Sequence, residues 1–228
     1  MRLSAPIFRL RRRARLLARE ARIPLHAALD RVARDEGFAS WSLLVAKVPR
    51  RSAGHALLRG LSEGDMVLLA ARPGHGKTML GLDLLAEAVG AGRRGVFFTL
   101  ECTAADLAAP LKAAGFEFDD SDEIDAARII GRLAAAPRGT VAVVDYLQLL
   151  DQRRETPPLM TQIRDLRRAA RGQGIVMVFL AQVHRSFEIS GRPRPGLGDV
   201  RLPNPLDLGL FDKAVFLHDG DMRLERVA

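Results

Sequence analysis

Three stretches of the chain are apolar without interruption: Met66–Ala71, Thr140–Val144 with Asp145 behind it, and Ile175–Ala181 with Gln182 behind it. A fourth, Gly95–Leu100, ends on Glu101. Runs of this length that do not alternate with polar residues are buried on both faces. Between them lie helix-period segments, predicted over 77–91, 104–114, 122–136 and 159–172, with the acidic turn Asp119-Asp120-Ser121-Asp122 separating the middle two. Strand and helix alternate, so the spacing predicts an α/β domain with a mainly parallel sheet sandwiched by helices. Lys213–His218 and Met222–Val227 flank Asp219-Gly220-Asp221 and read as a closing hairpin. Residues 183–206 show no periodicity and are punctuated by Gly and Pro, which predicts a long loop, functional or mobile.

Ahead of that domain the period changes. Ile7, Leu10, Ala14, Leu17 and Ala21 recur at steps of three and four, so 6–22 reads as an amphipathic helix. Pro24 suits the start of a second helix carrying Leu25, Ala28, Leu29, Val32 and Ala33, which Gly37 ends. Ser40 can cap a third, with Trp41, Leu44, Val45 and Val48. The expected organisation is a helical unit over 1–48, a linker over 49–54 (Pro49 to Gly54) and the α/β domain over 55–228.

Charge sharpens this division. The net charge is +8, and residues 1–22 hold eight arginines against the single acid Glu20, which leaves the remainder close to neutral. Arg11, Arg12 and Arg13 are therefore candidates for gripping nucleic-acid phosphates, with a solvated helix face as the plainer alternative. Apolar residues make up 48% of the chain, ordinary for a globular protein, and no run of 18 apolar residues exists to span a membrane. The basic start lacks the apolar core of a secretory signal, and the one cysteine, Cys102, cannot form an internal disulfide. A cytoplasmic location is expected.

The break after Met66–Ala71 carries the most chemistry. Arg72-Pro73-Gly74-His75-Gly76 turns the strand, and a helix starts at Lys77-Thr78-Met79. Strand, Gly-rich turn and helix is the context of a phosphate-binding loop, in which successive N–H groups and a helix N-terminus converge on phosphate oxygens. In that role residues 72–79 cradle ATP, the Lys77 ammonium meets the β- and γ-phosphates, and the Thr78 hydroxyl ligates Mg²⁺. Ala71 stands where such loops usually begin with Gly.

Ligands of open parallel sheets bind beyond the carboxyl ends of the strands. Polar residues finish those ends here: Asp145 in the position of a Mg²⁺-holding acid, Glu101 in that of a general base, and Gln182 ahead of the aperiodic loop. A capping role is the alternative for Glu101, and a plain strand end for Gln182. His75 reads as a solvent-facing spacer, and His26, His55, His184 and His218 show no metal-ligand spacing between them.

Taken together, these segments resemble the ATPase domain of replicative DNA helicases of the DnaB type. Ala71-Arg72-Pro73-x-x-Gly76-Lys77-Thr78 is similar to that family's phosphate loop, in which Ala is common at the first position. Phe98-Thr99-Leu100-Glu101 resembles the strand ending on its catalytic Glu, Asp145-Tyr146-Leu147-Gln148-Leu149 its Walker B segment, and Leu180-Ala181-Gln182-Val183-His184-Arg185 its Gln-bearing segment. Asp199-Val200-Arg201 and Phe211-Asp212-Lys213-Ala214 resemble its following segments more loosely.

The resemblance covers about 55–218 and implies a RecA-like P-loop core using ATP and Mg²⁺. It also implies Glu101, Lys77 and Gln182 in catalysis, and a loop near single-stranded DNA carrying Arg185, Arg192 and Arg194. The family's Lys-x-Arg segment, which reaches a neighbour's nucleotide, would follow the last strand, and the sequence stops at Ala228. Turnover is then expected to be slow unless a homo-oligomer or protein partner supplies the cation. Three functions stay open at this point: a DNA-interacting ATPase, a nucleotide-controlled adaptor with little turnover, and a small-molecule kinase.

Overall fold

A computed structural model of the chain describes residues 4–5, 7–47, 52–99, 101, 114–145, 147, 150, 157–202 and 204–227. The expected helix over 104–114 lies almost wholly outside them, as do Cys102, Leu100, Tyr146, Gln148, Leu149 and the expected linker residues 49–51. The chain divides into two compact units, Met1–Arg51 and Ser52–Ala228.

The larger unit is built on seven strands: β1 (Met66–Ala71), β2 (Gly95–Thr99), β3 (Glu117–Asp119), β4 (Val141–Asp145), β5 (Val176–Gln182), β6 (Lys213–His218) and β7 (Asp221–Arg226). Their order across the sheet is β3-β2-β4-β5-β1-β6-β7, parallel except for the β6–β7 hairpin. Every residue of β1, β2 and β4 is buried. The two faces of β1 divide by alternation. Met66, Leu68 and Ala70 join the core under the helices Ala126–Leu133 and Leu159–Gln173, while Val67, Leu69 and Ala71 join the core under the helix Lys77–Gly90. That last helix approaches closely because position 81 is Gly: a Cβ there would lie 3.1 Å from Val143 Cγ1.

Register then decides what meets at the carboxyl edge. Ala71 pairs with Gln182 on one side and Leu217 on the other, and Asp145 pairs with Thr99 and Leu180. Thr99, Asp145 and Gln182 thus finish neighbouring strands within two residues of one another along the sheet.

Three expectations change. Ala53 and Gly54, read as linker, open the helix Ala53–Arg59, which the Ser52 hydroxyl caps by accepting the His55 N–H at 2.9 Å. The acidic turn begins with a strand: Glu117-Phe118-Asp119 pairs in parallel with β2 at the sheet edge, and the helix behind it is Ala126–Leu133, shorter than 122–136. Tertiary ion pairs rather than propensity hold this edge. Arg94 grips both oxygens of Glu117 at 2.6 and 3.0 Å, Arg132 reaches Glu117 at 3.3 Å, and Arg128 reaches Asp119 at 3.2 Å.

The aperiodic stretch 183–206 is likewise ordered. It forms a helical turn at Ser186–Ile189 and a 3₁₀ turn at Leu197–Asp199, with an antiparallel bridge between Val183 and Val200. Buried Phe187, Val200 and Leu206 anchor it to the core, a feature that spaced single apolar residues do not reveal as a period.

The hydrogen bond from Arg94 holds the Glu117 carboxyl below the usual carboxylate range, aided by the charges of Arg94 and Arg132 and opposed by burial. A carboxylate depressed in the folded state stabilises at pH above its unfolded value, and that stabilisation is lost as pH falls through the folded value. Glu117→Gln should therefore flatten the acid side of the melting temperature against pH. The expected contribution is under about 1 kcal/mol, because both partners are partly exposed. A Glu117→Gln curve parallel to wild type from about pH 7 down to about pH 3 would remove this role.

The smaller unit holds the helices Ile7–Glu20, Leu25–Asp35 and Trp41–Lys47. Leu10, Ala14, Ala28, Val32, Ala33, Phe38 and Leu44 make its core. The Asp30 carboxylate accepts from the Trp41 N–H at 2.9 Å and opens the third helix, and Arg13 pairs with Asp35 at 2.9 Å. Arg11, Arg12 and Arg13 all face solvent.

Candidate active site

β1 stops at Arg72-Pro73 because Pro has no N–H to continue the ladder. Gly74 and Gly76 then take φ of 78° and 88°, the left-handed region where only Gly is unstrained. Nothing lies within 4 Å of a Cβ built on either, so the backbone course selects glycine here, not crowding. Gly76 caps the helix Lys77–Gly90 without a side-chain hydrogen bond, which leaves its first N–H groups to an anion.

Just inside that helix, the Lys77 ammonium sits 3.1 Å from Asp145 Oδ1 and 3.4 Å from Glu101 Oε2. The Thr78 hydroxyl donates to Asp145 Oδ2 at 2.7 Å. Asp145 is fully buried, and a carboxylate there is tolerable only because an ammonium and a hydroxyl satisfy it. Glu101 differs: its side chain is 39% exposed, and its N–H is fixed by the Thr99 hydroxyl at 2.9 Å. One acid is therefore dry and held, and the other reaches water. Two adjacent hard oxygen donors, Thr78 Oγ1 and Asp145, fit Mg²⁺, and the ammonium beside them fits phosphate.

Gln182, at the end of β5, is half-buried. Its carbonyl accepts from the Arg201 N–H at 2.7 Å, and His184 N–H donates to the Asp199 carbonyl at 2.7 Å, so the ladder continues into the following segment. Gln182 Oε1 lies 3.5 Å from an Arg201 guanidinium nitrogen. The Arg72 side chain points the same way: Nε donates to Glu188 at 2.7 Å and Nη1 to the Val183 carbonyl at 3.1 Å. The phosphate loop is thus tied to the segment after β5 by a side chain that sequence alone assigned to nucleotide.

Of the arginines in that segment, Arg192 is engaged by buried Asp199 and lies over the Phe187 ring at 5.8 Å, while Arg185 and Arg194 are exposed. Met79 is 66% exposed near the start of its helix. His75 is not a solvent-facing spacer. It is half-buried, and its ring stacks on His218 at 5.7 Å, because β6 lies beside β1 and carries His218 to the foot of the loop. Thr99 and Glu188 escaped sequence reading. A hydroxyl two residues before a strand-end acid was the available signal for Thr99; Glu188 offered none.

The profile of the DnaB-like helicase C terminal domain matches residues 55–115, the segment holding β1, the phosphate loop, β2 and Glu101. The chain resembles the DnaB C-terminal ATPase domain. Replicative DNA helicase DnaB of Helicobacter pylori is 26% identical to it, over 71% of this chain and 41% of the helicase. The chain therefore spans about two fifths of that relative's length. The solved structures that share the fold include two ATPases. One, an ATPase domain, superposes with a TM-score of 0.58 at 20% identity, covering 73% of this chain and 75% of that one. The other, a DnaB-like replicative helicase studied with its primase interactions, gives 0.60 at 15% identity over 96% and 72%. The DnaB-like core is thus RecA-like, with a small helical unit ahead of it in sequence. Among the described residues no helix is long and apolar enough to cross a membrane.

Proposed function

We propose that this chain binds ATP with Mg²⁺ and hydrolyses it, acting in the cytoplasm on or near single-stranded DNA. The observation that supports this best is the meeting of Lys77, Thr78, Asp145 and Glu101 behind the Gly74–Gly76 turn. In this reading residues 72–79 wrap the phosphates, Lys77 neutralises the β- and γ-oxygens, and Thr78 with Asp145 holds Mg²⁺. The ion supplies charge neutralisation for the phosphoryl oxygens. Glu101 orients and deprotonates the attacking water, for which its partial exposure suits it. In the same reading Gln182, which pairs with Ala71 at the foot of the loop, senses the γ-phosphate, and its contact with Arg201 together with those of Arg72 to Glu188 and Val183 relays this to the segment bearing Arg185, Arg192 and Arg194. In this reading a second copy of the chain or another protein partner adds a cation at the nucleotide.

Steady-state phosphate release with and without single-stranded DNA tests the proposal. Stimulation by DNA is the expected result; ATP binding with no turnover under either condition would favour the nucleotide-controlled adaptor, for which the Gln182–Arg201 contact is the natural relay.

The N-terminal arginines give a second measurement. Replacing Arg11, Arg12 and Arg13 with Ala should weaken single-stranded DNA binding and reduce the slope of log affinity against log salt by roughly 0.7 for each phosphate no longer neutralised. An unchanged slope would assign that face to solvation alone.

A further inference from the structure

We propose that His75, His218 and Asp219 form a binding site for one divalent transition-metal ion of the zinc class, cross-linking the phosphate loop to the β6–β7 hairpin. One donor atom from each residue lies within 4.8 Å of the others. Their sequence positions hide this. His75 belongs to the turn after β1, and His218 and Asp219 to the end of β6, which the pairing of Ala71 with Leu217 brings alongside.

Three features make the cluster a site and not a chance encounter of polar groups. First, the sheet brings the two imidazoles together: their ring centroids lie 5.7 Å apart with 12° between the planes. Second, the acid is aimed correctly. Asp219 Oδ2 lies 4.0 Å from His218 Nε2, although Asp219 occupies the left-handed region at φ 49°. Third, Phe187 packs edge-on against the His218 ring at 5.2 Å and limits its rotation, while the Asp219 side chain, 60% exposed, leaves an entry path.

Zinc–nitrogen bonds of about 2.0–2.1 Å place tetrahedral donors roughly 3.4 Å apart, so side-chain shifts of order 1 Å at His75 and Asp219, with His218 held by Phe187, close the site. Two imidazoles and one carboxylate favour Zn²⁺, Co²⁺ or Ni²⁺ over Mg²⁺, which the all-oxygen pair Thr78 and Asp145 suits better. Three protein ligands leave a fourth position to water. The ion would hold the tip of the phosphate loop against the hairpin.

The test uses the whole chain, stripped of metal and free of nucleotide, titrated with Co²⁺ and then displaced by Zn²⁺. Wild type should take up one Co²⁺ with the visible absorption of a four-coordinate site. His75→Ala, His218→Ala and Asp219→Asn should each weaken Zn²⁺ binding by more than about tenfold, since even outer-shell losses cost that much. His26→Ala, in the other unit, should bind as wild type. Asn accepts the left-handed turn, so Asp219→Asn keeps the hairpin, and it and His75→Ala decide the matter even if His218→Ala fails to fold. Absence of the Co²⁺ absorption from wild type, or variants that bind Zn²⁺ as wild type does, would overturn the site. Because no nucleotide is present, failure of ATP binding would leave this result untouched.

Discussion

Lys77→Met is expected to lower the stability of the nucleotide-free protein by about 3 kcal/mol, the low end of the cost of breaking a buried ion pair from one side. The substitution leaves Asp145, with no solvent exposure, holding only the Thr78 hydroxyl at 2.7 Å among the described residues. The second carboxylate loses less, because Glu101 reaches water. At ~2–4 °C per kcal/mol for a chain of this size, the melting temperature should drop by roughly 6–12 °C. The same change removes the ammonium proposed to meet phosphate, so ATP with Mg²⁺ at ~100 times the wild-type dissociation constant should no longer add its ~2.7 kcal/mol.

A second variant separates the two effects. Lys77→Met with Asp145→Asn replaces the stranded charge by an amide and should recover most of the lost stability without recovering the response to ATP. Thermal melts of the three proteins, with and without nucleotide, read both. If Lys77→Met melts like wild type, the buried pair is not what stabilises this edge. If it still gains stability from ATP, the loop is not the phosphate site.

The sheet and the loop were legible because their signals are local. A strand buried on both faces must be continuously apolar, so β1, β4 and β5 stand out, and Pro73 with Gly74 and Gly76 breaks β1 where the backbone must turn. Asp145 and Glu101 were readable for the converse reason: an acid closing an apolar run is costly and must be satisfied.

What escaped depends on neighbours distant in sequence. β3 is three residues long and owes its place to Arg94, Arg128 and Arg132. Residues 183–202 gain order from the pairing of Val183 with Val200 and from the burial of Asp199 against Arg192. His75 and His218 meet only because β1 and β6 are adjacent, and strand order across a sheet is not written in either segment. The first unit was legible as helices through its stripe of Leu10, Ala14, Ala28 and Val32, yet Asp30 as the group that opens the third helix was not, since its partner Trp41 lies eleven residues on.

Glu101→Gln should reduce turnover by about 10²–10⁴ while leaving ATP affinity close to wild type. The amide keeps the size of the side chain and can still meet the water, but it cannot accept the proton. Affinity is spared because Lys77 retains Asp145 as its nearer anion, at 3.1 Å against 3.4 Å for Glu101. Asp145→Asn is the contrast: it weakens the oxygen set proposed for Mg²⁺, so affinity for ATP with Mg²⁺ and turnover fall together.

Thr99→Val probes the positioning of the proposed base. It removes the hydroxyl that accepts the Glu101 N–H and should lower kcat by roughly tenfold with KM little changed, a smaller loss than removing the base itself. Single-turnover phosphate release, read beside nucleotide affinity, distinguishes these cases. Turnover in Glu101→Gln within about threefold of wild type would place the general base elsewhere. A parallel collapse of ATP affinity would instead make Glu101 a structural partner of Lys77, since a group that acts only on the attacking water has no reason to hold the ground-state nucleotide.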